Sequence, residues 1–161
     1  MTEAGPIIID FATLQKPYSF EGIEDISMDL HILEENTEMR KIRGGIEMAV
    51  PNRVTLLVLK LKAIWDRQYR INNGLSDDLL WETGKVVKDR VDVLALLDPE
   101  QGGRNLDIYV LGKLLRNYPF LEKSLISVYE TNEGIEKYGR ISQSFAKEII
   151  EQLLSLTRQD Y

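Results

Sequence analysis

The sequence predicts an α+β fold in which about three short strands precede a helical bundle. Three observations predict it. The first fifty residues carry short β-branched or alternating segments bounded by Gly and Pro. From Asn52 onward the apolar residues recur at helical spacing instead. The chain is 161 residues long and 43% apolar, enough to bury one real core. The organisation expected is a β region over 1–50 and a helical region over 51–161.

The elements follow in order. PIIIDFATL (Pro6 to Leu14) reads as a first strand after a Gly-Pro break. ISMDLHIL (Ile26 to Leu33) alternates, with Ile26, Met28, Leu30 and Ile32 on one face and Ser27, Asp29, His31 and Leu33 on the other. GGIEMAVP (Gly44 to Pro51) reads as a third strand, launched from a Gly-Gly turn and stopped by Pro51. Arg40, Lys41 and Arg43 read as a solvated basic turn between two strands.

Asn52 is placed to cap a helix running to about Arg70, with Val54, Leu57, Val58, Leu61, Ile64 and Trp65 facing the core. Ser76 starts a second helical piece, with Asp77 and Asp78 in its first turn. Lys88 to Leu97 is helical, and Asp98-Pro99 closes it. Past the GGRN loop, Asn105 to Asn117, Leu121 to Asn132 and Ile141 to Thr157 form a helical tail broken at Pro119, Gly134 and Gly139. Phe120, Leu121, Leu125 and Ile126 on that tail read as core or, if exposed, as a docking face.

Composition excludes several classes. There is no Cys and a single His, so neither a disulfide framework nor a site with two imidazoles is available. The apolar run ending at Lys60 is too short to span a membrane, and MTEAGPIIIDF lacks the basic and apolar regions of a signal peptide. A cytoplasmic location without membrane association is the expectation. A net charge of −6 and a pI of about 4.9 argue against broad electrostatic binding of nucleic acid.

One constellation stands out. Lys60, Ala63, Ile64 and Arg67 fall at i, i+3, i+4 and i+7, so both cations share a face beside the hydrophobic stripe. Asp89 and Asp92 fall at i and i+3 on the later helix. If the helices pack antiparallel, Lys60 or Arg67 reaches Asp89 or Asp92. Spacing alone favours an ordinary inter-helix ion-pair network over a nucleotide-handling site.

Together, VPNRVTLLVLKLKAIWDR and KDRVDVLALL resemble the C-terminal half of nucleotidyltransferase-fold proteins, in particular the minimal nucleotidyltransferases and the toxins of abortive-infection type toxin–antitoxin systems. The residues that carry the resemblance are Val50-Pro51, Lys60, Ala63, Arg67, Lys88-Asp89 and Asp92, within a match covering about 7–97. It implies a partial nucleotidyltransferase-like sheet and transfer of a nucleoside monophosphate from an Mg²⁺-bound NTP to a hydroxyl. Lys60, with Arg67, would contact the nucleotide phosphates. Asp89 would be catalytic, and Asp92 with Lys88 would serve as structural ion pairs. Asp10 in IIIDF would be the third carboxylate, catalytic or metal-binding, with Asp29 competing for that role. His31 reads as a surface or hydrogen-bonded residue.

The chain departs from the family in having neither a Gly-Ser dipeptide nor an Asp-x-Asp pair, the elements that hold phosphate and metals. By this alignment they would fall before Gly5, so the chain is expected to start inside the fold. Truncation, degeneration or a partner polypeptide supplying the strands would each account for that. Little catalysis is expected of the chain alone. An edge left open predicts a homodimer through the N-terminal strands. The alternative is a non-catalytic interaction or antitoxin-like subunit. Nucleic acid is expected only as a tRNA-type acceptor.

Overall fold

A computed structural model describes residues 17–29, 33, 36–41 and 44–158. Within them lie four short strands, β1 (Tyr18–Phe20), β2 (Ile23–Met28), β3 (Thr37–Lys41) and β4 (Glu47–Pro51). Six helices follow: α1 (Arg53–Asn72), α2 (Leu79–Leu97), α3 (Ile108–Asn117), α4 (Leu121–Glu130), α5 (Asn132–Tyr138) and α6 (Gln143–Thr157). The fold is α+β, with the strands confined to two separate antiparallel hairpins, β1–β2 and β3–β4. The strand expected over 6–14, and Asp10 with it, lies outside the described residues, as does His31.

The first hairpin is short because its turn is tight and its second strand bulges. Tyr18 faces Met28 and Ser19 faces Ser27, but Phe20 faces Ile23, and Asp25 in the bulge has φ 63. The extra residues break the alternation expected from Ile26: that side chain is 38% exposed, whereas Met28 is fully buried. β1 itself is too short to show a period. It is pinned through Phe20, whose ring meets Phe120 edge-on at 4.8 Å and Tyr118 at 5.2 Å. The main chain of the turn is tied to two side chains of α1. Trp65 Nε1 donates to the Glu21 carbonyl at 3.0 Å, and the Glu21 N–H donates to Asp66 Oδ1 at 3.0 Å.

The second hairpin corrects the reading of Arg40 and Lys41 as a turn: both lie on β3, opposite Met48 and Glu47. The turn falls beyond them, where Gly44 and Gly45 adopt φ 94 and 78, the left-handed region that Gly enters without strain. At its base the Asn52 N–H donates to the Asn36 carbonyl at 2.7 Å. The hairpin then runs into α1, capped by Asn52 Oδ1, which accepts from the Thr55 N–H at 2.9 Å.

Helix α1 buries Val54, Leu57, Val58, Leu61 and Ile64, one stripe at 3.6-residue period. It packs against α2 and α4, while α6 closes the core against α3 and α4. Helix α2 begins at Leu79, later than the Ser76 start expected, because Asp78 reaches the Trp81 N–H at 2.9 Å and takes the cap. It then runs unbroken through Gly84 to Leu97, joining two expected pieces. Leu121 and Leu125 are fully buried, and Phe120 and Ile126 pack against the core, so this stretch of the tail is interior.

Candidate functional site

Lys60, at mid-length of α1, and Asp89 and Asp92, one turn apart on α2, meet because the two helices run antiparallel. Lys60 Nζ lies 2.9 Å from Asp89 Oδ1 and 2.6 Å from Asp92 Oδ2. Arg67, two turns further along α1, binds the other Asp89 oxygen through Nη1. Lys88 holds Asp92 Oδ2 at 2.8 Å. All five charged residues that carry the resemblance therefore form one chain of alternating sign. Asp89 is its buried centre at 4% exposed, with both oxygens committed.

Burial disfavours the Lys60 ammonium, but the bonds to Asp92 and Asp89 outweigh it and hold the pKa above its ordinary 10.5. Burial likewise pushes the Asp92 carboxyl up, and the bonds from Lys60 and Lys88 bring it below its ordinary 3.8. Both groups are thus fixed in their charged forms at neutral pH. Arg67 Nε is buried with no hydrogen-bond partner among the described residues.

Lys60 and Asp92 also line a cleft of about 470 Å³ between α1, α2 and the end of α5. Arg53, Tyr138 and Arg140 line it as well, so three cations face one carboxylate across it. Arg53 is held by carbonyls at and just past the end of α2, donating to Leu96 at 2.9 Å and to Gln101 at 2.6 Å, and among the described residues no carboxylate pairs with it. Tyr138 and Arg140 are held by Asp98, buried at the end of α2. The Tyr138 hydroxyl donates to Asp98 Oδ2 at 2.6 Å, Arg140 Nε donates to the same oxygen at 3.1 Å, and the Glu100 N–H reaches Oδ1 at 2.8 Å. The Tyr138 bond, with help from these donors, holds the Asp98 carboxyl below the ordinary range against its burial.

Asp29 lies elsewhere, exposed just past β2 and beside Tyr118, whose pKa is raised mainly by burial. The fold does not bring it to the Lys60 network. Among the described residues no group of three or more metal-ligating side chains is placed to hold an ion. Both Asp89 oxygens and Asp92 Oδ2 are spent on cations, and two lysines and an arginine crowd the pair, so these residues do not fit an Mg²⁺ site.

Arg53, Tyr138, Arg140 and Asp98 escape sequence reasoning as site residues. The only signal was Asp98-Pro99, legible as a helix stop; a buried carboxylate there needs donors, but nothing local says they come from forty residues on. Compared with protein-family models, with curated proteins and with solved structures, the chain matches none.

Proposed function

We propose that this chain is a nucleotidyltransferase-like protein that binds the phosphates of a nucleoside triphosphate in the cleft beside Lys60. One observation carries the reading. Lys60, the residue to which the resemblance gives phosphate contact, lines a cleft where Arg53 and Arg140 add charge and, among the described residues, Asp92 is the lone carboxylate. An ammonium has three donors, and Asp89 and Asp92 take two of them. The carboxylates hold Lys60 in place, and a phosphate oxygen takes the remaining N–H. Guanidinium groups suit the other phosphates because their donors match oxyanions two at a time. The described carboxylates do not fit a metal site, so the activity proposed is nucleotide binding and not transfer.

The test is thermal unfolding with ATP or GTP, with and without Mg²⁺. At about one hundred times Kd, a ligand confined to the folded state adds about 2.7 kcal/mol. The wild-type Tm should rise, the rise should vanish in Lys60→Met, and it should shrink in Arg140→Gln. The ligand-induced increment is the readout, since Lys60→Met lowers the starting stability. A wild-type protein indifferent to nucleotide overturns the proposal.

That outcome would favour the second reading, a non-catalytic interaction subunit. What favours it is an apolar corner at the α1–α2 junction, where Leu80 is 86%, Leu79 58% and Trp81 51% exposed.

A further inference from the structure

Strand β3 reads Thr37-Glu38-Met39-Arg40-Lys41, and all five of its residues are exposed. Among the described residues it pairs only with β4, and Met39 and Met48 stand 63% and 48% exposed on opposite faces of that hairpin. A two-stranded hairpin with no face on a core is marginal in water, and its outer edge is a template for another strand.

We propose that this edge is the interface of a symmetric homodimer, in which two copies pair antiparallel through β3 with Met39 on the two-fold axis. The occupant is a second copy because the strand is complementary to itself. Centred on Met39, antiparallel pairing sets Glu38 opposite Arg40 of the other copy and Arg40 opposite its Glu38, two cross-strand ion pairs. Within one chain Arg40 already binds Glu38 through Oε1 alone, at 2.6 Å from Nη2, leaving Oε2 to face the partner.

The hydrogen-bond parity agrees. In an antiparallel ladder, residues alternate between exchanging main-chain bonds with the strand opposite and turning those groups away. The bond from the Asn52 N–H to the Asn36 carbonyl makes that pair a bonded one. By alternation Glu38 and Arg40 bond β4, and Thr37, Met39 and Lys41 turn their groups to the free edge. Pro51, opposite Thr37, fits a position that needs no N–H. The proposed register joins Met39 to Met39 and Thr37 to Lys41, using only outward groups, for about six new main-chain bonds.

The side chains complete a sheet. Ala49 lies beside Met39 in the ladder, so pairing lines up Ala49, Met39 and their two counterparts as one apolar row across four strands. The far edge of β4 is a poorer template, since Pro51 offers no donor there. This dimer is independent of nucleotide binding and stands or falls without it.

Sedimentation equilibrium of the full chain tests the proposal. The wild type should dimerise reversibly at up to ~100 μM, the range of a small edge interface. Glu38→Arg and Arg40→Glu each place like charges in opposition and should weaken self-association by at least about tenfold. Mixed in equal amounts, the two variants should form a heterodimer, because both cross-strand pairs then set a guanidinium of one copy against a carboxylate of the other. Met39→Pro removes an outward donor that β4 does not use, so it should abolish the dimer while leaving the circular dichroism of the helices unchanged. A monomeric wild type, a dimer surviving both charge variants, or a mixture that stays monomeric overturns the proposal.

Discussion

Gly22 lies under the ring of Tyr69, so near that a Cβ there would come 2.0 Å from Cε2. The same glycine has φ 70, which L side chains seldom adopt. Gly22→Ala therefore strains the turn and displaces the ring together, and should cost about 2 kcal/mol or more. Urea unfolding measures it. In the background Tyr69→Ala the cost should fall to the backbone share alone, a coupling that a double-mutant cycle reads directly.

The buried Asp89 joins cations from two turns of α1. Asp89→Asn leaves Lys60 and Arg67 partly buried with a neutral neighbour, and should cost about 3 kcal/mol. Asp92 is more open, its side chain 32% exposed, so Asp92→Asn should cost about 1 kcal/mol. Equal losses at the two sites would contradict the burial gradient along the network.

The pH dependence has two flanks. Asp92 and Asp98 have carboxyl pKa values held below 3.8 in the folded state, so the unfolded chain binds protons first as acid is added. Their contribution is full above that value and is lost as pH falls through the lower folded values. Tyr138 is pushed the other way, up to about 12 from 10.0, by burial and its bond to Asp98. Its contribution is full below pH 10 and is lost as pH rises towards 12. Tyr138→Phe should remove the tyrosine share of the alkaline loss and, by taking away the donor that most lowers Asp98, shrink the Asp98 share of the acid loss while leaving that of Asp92. Denaturant titrations across pH, with ultraviolet absorbance to follow the phenolate, separate the two.

Asn52 has two tasks, capping α1 through Thr55 and closing the base of the second hairpin against Asn36. Asn52→Ala removes the side-chain cap and should cost about 1 kcal/mol, while Asn52→Asp should keep most of it. Thermal unfolding of the pair distinguishes a cap from a general loss of packing.

Much of the helical half was legible because each feature is local. The cap at Asn52, the stop at Asp98-Pro99 and the shared face of Lys60 and Arg67 all follow from a 3.6-residue period and the chemistry of helix ends. The meeting of that face with Asp89 and Asp92 needed one further assumption, antiparallel packing, which a short connection favours. Other features were hidden for equally physical reasons. Ser76 and Asp78 are both good caps, and only the reach of Asp78 to Trp81 separates them. The bulge at Asp25 breaks an alternation that looked continuous. Tyr138 and Arg140 reach Asp98 by the path of α5, which no local pattern records.

The first two helices are fastened along their whole length. Arg53 grips the carbonyls at the end of α2, Lys60 and Arg67 hold its middle, and Arg70 binds Glu82 near its start at 2.8 Å. Such a pair opens as one cooperative unit, so its amides should exchange with deuterated solvent only through global unfolding. Among the described residues the β3–β4 arm has no such fastenings beyond its base, so it frays at little expense to these helices. The chain thus divides into a part that must stay shut for the protein to exist and a part free to change its sequence, and with it the molecule's company, without refolding anything else.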